Sequence, residues 1–179
     1  MESDLDAWWL YDDGGLNILL PYIIARRGFK DKMPLRIFTL TRDCHDVENS
    51  EKRIKSLLQK FRIEYSSLTI IKDINKPPLQ ASVQYFNQLI KKFRSNIASD
   101  TLISDAELER LKVKTDRHLR LRELLVEHSY MASFIVLTLP YPRLGSTSAA
   151  LYMSWLEALS AELPPVLFVR GGDEPVLSV

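Results

Sequence analysis

The feature that most constrains this chain is its regular alternation of short apolar runs with longer amphipathic stretches. Residues 5–11, 35–41, 65–71, 133–139 and 165–170 are each 4–8 residues long, rich in β-branched or aromatic side chains, and bounded by turn residues, so they read as strands. Between them, residues 16–27, 50–61, 79–93, 104–128 and 146–163 carry apolar side chains at 3–4 spacing and read as helices. Strands that alternate with helices predict a mainly parallel sheet covered on both faces. Right-handed crossovers then make an α/β fold the natural solution: a three-layer αβα sandwich, doubly wound and Rossmann-like, for which we expect five strands in the order 3-2-1-4-5. In that order the chain reverses direction between the first and fourth strands. The loops at 12–15 and 140–148 are therefore expected to flank the crevice where such sheets bind ligands.

Local signals refine the elements. In the first helix the apolar set 16, 19, 20, 23 and 24 predicts the buried stripe, and Pro21 within it removes one backbone hydrogen bond. Gly28 suits the end of that helix. Ser104 and Glu107 have capping-box spacing, which predicts a helix start in which each side chain serves the other's free backbone donor. Residues 96–103 are polar and read as a flexible link within a single domain spanning 1–179. Residues 176–179 can add a short edge strand.

Composition excludes several classes. At 179 residues and 46% hydrophobic, the chain is long enough for a core without a metal or disulfide staple. Its one cysteine, Cys44, cannot form an internal disulfide. With 24 Lys+Arg against 23 Asp+Glu there is no basic excess of the kind a nucleic-acid binder carries. No apolar stretch approaches the ~20 residues a membrane-spanning helix needs, and the acidic start lacks a signal-peptide pattern.

The candidate chemistry is sparse. Asp12 and Asp13, at the end of the first strand, could hold Mg²⁺ as in a phosphoacceptor domain. That chemistry also wants a lysine after the last strand, where Arg170-Gly171-Gly172 stands, so a capped turn is the better reading. Arg143, Gly145, Ser146 and Thr147 precede a helix and could cradle a phosphate on free backbone N–H groups. They lack both GxGxxG and the phosphate-loop lysine, and Ser or Thr before a helix is ordinarily a cap. Together these six residues form a weak anion or nucleotide site. His45, His118 and His128 have no metal-ligand spacing with Cys44 or one another, and no GxSxG elbow exists. Lys112, Lys114, Arg117, Arg120 and Arg122 make a basic helix face that could meet acidic lipid or an acidic partner. Interleaved Glu and Asp favour a solvated, largely neutralised face instead. No catalytic set, metal or cofactor is indicated.

Several ordered segments carry a resemblance. They are Asp6-Ala7-Trp8-Trp9-Leu10-Tyr11-Asp12-Asp13-Gly14-Gly15-Leu16, Leu57-Leu58-Gln59-Lys60-Phe61-Arg62-Ile63, Asp73-Ile74-Asn75, Lys114-Thr115-Asp116-Arg117 and Leu121-Arg122-Glu123-Leu124-Leu125-Val126-Glu127-His128-Ser129. Further on stand Ala149-Ala150-Leu151-Tyr152-Met153-Ser154-Trp155-Leu156-Glu157-Ala158-Leu159 and Leu163-Pro164-Pro165-Val166-Leu167-Phe168-Val169-Arg170-Gly171. As an ordered set, covering nearly the whole chain, they resemble the cytosolic C-terminal domain of cation–chloride cotransporters. The Tyr-Asp-Asp-Gly-Gly turn resembles the sodium-coupled Na-K-Cl and Na-Cl branch rather than the potassium–chloride one.

The resemblance implies the second of two α/β subdomains, universal-stress-protein-like in fold, that follow a twelve-helix transporter of Cl⁻ with Na⁺ and usually K⁺. It implies a non-catalytic regulatory and homodimerisation module on the cytoplasmic face of the plasma membrane. Its implied partners are a second copy, the transmembrane domain and other cytosolic segments of the same polypeptide, and regulatory kinases or phosphatases; nucleic acid is not among them. Transport residues would lie in the membrane part, so none is assigned here. A nucleotide- or anion-binding sensor using the crevice between the first and fourth strands is the alternative, and a small enzyme on the same sheet is a third.

Overall fold

The structure, a computed structural model, describes residues 4–10, 15–27, 33–40, 47–96, 101–143 and 145–172. Asp12 and Asp13, the Cys44-His45 pair and the expected edge strand at 176–179 lie outside the described residues. By its internal contacts the chain forms two compact units, Met1–Asp73 with Met131–Leu139 and Pro164–Val179, and Ile74–Tyr130 with Pro140–Leu163.

The first unit holds all five strands: β1 (Leu5–Trp9), β2 (Leu35–Leu40), β3 (Ser67–Ile71), β4 (Phe134–Thr138) and β5 (Val166–Val169). Every neighbouring pair is parallel, and the order is β3-β2-β1-β4-β5, as the alternation predicts. β1 is central and buried along its whole length. The edge strands β3 and β5 bury only their last residue. Asp6, the second residue of that central strand, is an acid, and it is fully buried. Its register partner across the ladder is Arg36 of β2, which clasps the carboxylate with Nε at 2.7 Å and Nη2 at 2.6 Å. This two-pronged, charge-assisted contact is what makes a buried carboxylate tolerable there. Two register steps along, on the same face, Trp8 stacks on Phe38 with ring centroids 4.7 Å apart.

Alternate residues Leu5, Ala7 and Trp9 of β1, with Leu35, Ile37 and Val136, form a core with Ile18 and Ala25 of α1 (Leu16–Arg27) and Leu58 of α2 (Val47–Lys60). α2 packs as its period predicts, with Leu58 fully buried and Ile54, Leu57 and Phe61 beside it. α1 differs. It runs through Pro21, and its buried residues are Asn17, Ile18, Pro21 and Ala25, while Ile23 is 45% exposed. The helix is apolar almost all the way round, so its sequence does not mark one face; Leu16, Leu20 and Ile24 of the expected stripe pack against the core, but the deepest positions lie beside them.

The second unit is helical: α3 (Gln80–Ile90) with a 3-10 turn at Lys91–Phe93, α4 (Asp105–Arg110), α5 (Lys112–Ser129) and α6 (Ala149–Ser160). Phe86, Ile90, Ile103, Leu119, Leu151, Trp155 and Ala158 are its core. The stretch read as one helix from 104 is two, separated at Leu111 (φ −102°, ψ 11°). Within the expected link, residues 97–100 are outside the described set. After them, Ile103 is fully buried and pairs with the strand-like turn before the link: its N–H donates to the Phe93 carbonyl and its carbonyl accepts from Ser95.

Candidate functional site

At the carboxyl end of the sheet, β1 and β4 are stitched by one hydroxyl. Thr138 Oγ1 donates to the Trp8 carbonyl at 3.1 Å and accepts the Leu10 N–H at 3.2 Å. Trp9, one residue on, is buried, and its indole Nε1 has no hydrogen-bond partner among the described residues. Of the six residues expected around the crevice, Asp12 and Asp13 are not described. The other four form the turn before α6. Arg143 and Gly145 are exposed, Ser146 and Thr147 half-buried. Gly145 adopts φ 71°, a left-handed conformation that glycine takes without strain, and the Ser146 N–H donates to the Arg143 carbonyl at 2.9 Å.

The end of this turn already has an anion. Ser148 is the N-cap of α6, its Oγ accepting the Leu151 N–H at 3.2 Å. The Ser148 N–H donates to the Glu107 carboxylate at 2.6 Å. A carboxylate is thus seated where a helix macrodipole and free N–H groups attract negative charge. Arg110, one turn further along α4, donates from Nη2 to the Ser146 carbonyl at 2.9 Å. The short α4 clamps the turn before α6 from both sides of its carboxylate.

Glu107 was expected to serve the Ser104 N–H in a capping box. Half of that box forms, with Ser104 Oγ accepting the Glu107 N–H at 3.2 Å. The glutamate side chain goes to α6 instead, a use that no local motif announces.

α5 carries the remaining polar groups. His118 is buried, and its ring lies flat on Trp155 with centroids 4.5 Å apart. Its Nδ1–H donates to the Lys114 carbonyl at 2.7 Å, and Trp155 Nε1 donates to Thr115 Oγ1 at 3.1 Å. Burial pushes the His118 pKa down to about 4, the Lys114 charge adds to that, and the bond to the Lys114 carbonyl opposes it only in part. The imidazole is neutral at physiological pH, with no carboxylate beside it in the contacts described. The Lys114 ammonium sits 5.3 Å from the Trp155 ring centre, and burial lowers its pKa.

The basic face of α5 is largely neutralised. Lys112 pairs with Asp116 at 2.8 Å and Arg120 with Glu123 at 2.8 Å. Glu123 also accepts from the Ser82 hydroxyl and the Leu79 N–H; burial raises its pKa, and these bonds together with Arg120 bring it below the ordinary value. Arg122 stacks over Tyr85 and caps the end of α6 by donating to the carbonyls of Ala158 and Ala161. A groove of about 360 Å³ is lined by Val83, Phe86, Leu108 and Leu119, with the Arg94–Asp105 and Lys112–Asp116 pairs on its rim. Four of its charges are spent in those pairs, and Glu109 and Asn87 also line it. Among the described residues no group of His, Cys, Asp or Glu could hold a metal ion. Nor is any helix there long and apolar enough to cross a membrane.

The geometry describes an interlocked scaffold, and comparison with known proteins says what kind. The sequence profile of solute carrier family 12 matches residues 1–179. The chain belongs to solute carrier family 12. It is similar to the bumetanide-sensitive sodium-(potassium)-chloride cotransporter of Manduca sexta, at 54% identity over 97% of this chain. It is 39% identical to solute carrier family 12 member 2 of Homo sapiens and 44% identical to member 1 of Mus musculus, each over 99% of the chain. In these three comparisons it spans only 16% to 17% of the relative's length. The SLC12 chain described here therefore corresponds to a part of a Na-K-Cl cotransporter-type protein.

Proposed function

We propose that this SLC12 segment is the non-catalytic regulatory and homodimerisation module of a transporter that moves chloride together with sodium and potassium, held at the cytoplasmic face of the membrane. The observation that carries the reading is the match itself. It covers the whole chain but about a sixth of cotransporter relatives, in a stretch whose described helices are too short or too polar to span a bilayer. Transport chemistry then belongs to other segments, and this one is left to hold, pair and signal. The interior supports that role, because Glu107, Arg122 and Trp155 are engaged in bonds that fix helices rather than converging on an open reactive centre. Its partners in this reading are a second copy, the transmembrane part and other cytosolic segments of the same protein, with kinases and phosphatases acting on the whole.

Sedimentation equilibrium of the 179-residue chain tests the pairing. A concentration-dependent shift from monomer to dimer mass is expected. A monomer mass that persists up to millimolar protein contradicts dimerisation by this segment.

A further inference from the structure

Charge is distributed unevenly over the sheet-bearing unit. The chain as a whole carries a formal net charge of only +1. Yet the outward side of α2 presents Lys52, Arg53, Lys55 and Lys60, all exposed, opposite the stripe that buries Leu58. Arg62 follows immediately, exposed and in a left-handed conformation (φ 54°) that ends the helix. The end of α1 adjoins it: the Tyr22 hydroxyl donates to the Arg62 carbonyl, and Arg26 reaches Glu64 at 3.0 Å. Arg27 is exposed next to Arg26, and Ile23 stands out of the same helix one turn earlier. Lys55 is paired with Glu51 and Arg26 with Glu64. Lys52, Arg53, Lys60, Arg62 and Arg27 have no ion pair among the described residues. Two cations at the end of a helix answer its macrodipole, but Lys52, Arg53 and Lys55 lie in the middle of α2, past its acidic start at Glu48 and Glu51, and do not serve that purpose.

We propose that this face, α2 with the ends of α1 and α2, rests on a bilayer surface of acidic phospholipids. The inference builds on the reading of the chain as part of a membrane transporter, which keeps it tethered near such a surface. Two features favour a lipid surface over an acidic peptide. The α2 cations are spread on the outward side of a helix, and none of them is in the described lining of the hollow at the end of α1, formed by Tyr22, Ile23, Arg26 and Arg27. Most of those on α2 are lysines, which act as point charges rather than as forks matched to single carboxylates. The apolar side of α2 is committed to its own core, so the contact is electrostatic and peripheral, with Ile23 the one apolar side chain described at its rim. Each Lys or Arg held near an anionic leaflet contributes about 1 kcal/mol, roughly fivefold in partitioning.

The test is co-sedimentation of the 179-residue chain with vesicles of phosphatidylcholine alone and of phosphatidylcholine with phosphatidylserine. Binding is expected only to the second, weakening steeply as salt is raised. The double variant Arg53→Gln/Lys60→Gln should bind about 25-fold more weakly, while Lys91→Gln/Lys92→Gln, in the other unit, should bind like the parent. Both pairs are exposed, and circular dichroism checks that each variant folds. Equal binding to both vesicle types, or binding that ignores the α2 substitutions, overturns the proposal. So does capture by polyglutamate without capture by acidic vesicles, which would identify an acidic polypeptide as the partner. Loss of vesicle binding to inorganic phosphate, at an ionic strength where chloride has no effect, would equally contradict a surface and point to a single phosphate site. A negative result here leaves the sedimentation measurement untouched, so failure of this inference and failure of the module reading are distinguishable.

Discussion

His118 is the residue whose environment most changes its chemistry. An unfolded histidine takes up a proton as pH falls through about 6.5, whereas the folded ring resists protonation until about 4. Between those values the unfolded chain holds more protons, so folding stability declines as the pH is lowered through that window. The loss is about 3 kcal/mol when complete. His118→Phe keeps a ring against Trp155 but cannot titrate. Urea denaturation at pH 7 and pH 4.5 should show a marked loss for the parent and a smaller one for the variant; equal losses would contradict a buried neutral imidazole. The Asp6–Arg36 pair gives a second expectation. Arg36→Ala strands a fully buried carboxylate, and because Arg36 itself is partly solvated the cost is about 2–3 kcal/mol, read from the urea midpoint. Neither role is visible in the sequence. Asp6 stands in a strand-like run, but only the register that sets it opposite Arg36 explains how it survives there.

At the scale of elements, Glu107 shows how a short helix is recruited to start another. Removing its carboxylate orphans the Ser148 N–H at the head of α6, so Glu107→Ala should cost about 1–2 kcal/mol. Hydrogen exchange should be faster at the Ser148 amide in particular, while the Leu151 amide, capped by Ser148 Oγ, keeps its protection. Uniform acceleration throughout α6 would contradict this local account. The strands and most helices were legible because apolar period and turn residues agree over 35–40, 134–138 and 166–169. Legibility failed where period was uninformative. α1, apolar on nearly every side, buries Asn17, Ile18, Pro21 and Ala25 most deeply; of the expected stripe Leu16, Leu20 and Ile24 pack against the core, while Ile23 is exposed. The break at Leu111 carries no Gly or Pro, and it takes its place between two helices that each continue the same apolar spacing. Of the expected anion cradle, the turn at Arg143, Gly145, Ser146 and Thr147 was placed correctly before α6, but the carboxylate that meets the helix end comes from a residue 41 positions away.

At the scale of the whole molecule, the alternation of elements and the handedness of crossovers pointed to a doubly wound parallel sheet, and 3-2-1-4-5, one of the orders such sheets adopt, is the one observed. What the sheet is for did not follow, because one sheet of this kind supports many functions. The ordered set of segments from Trp8-Trp9 to Val169-Arg170 located the family, and the match over residues 1–179 established it. In the function proposed above, this segment governs a transporter without itself transporting. Ion uptake by the full-length cotransporter reads that role out. Chloride-dependent rubidium uptake would be compared in cells making the protein with and without this segment, normalised to the amount at the cell surface and measured beside the dimer fraction by cross-linking. Removal is predicted to lower uptake per surface molecule and the dimer fraction together, while the membrane part is still inserted. Uptake and dimer fraction that both stay at the full-length level would contradict the account.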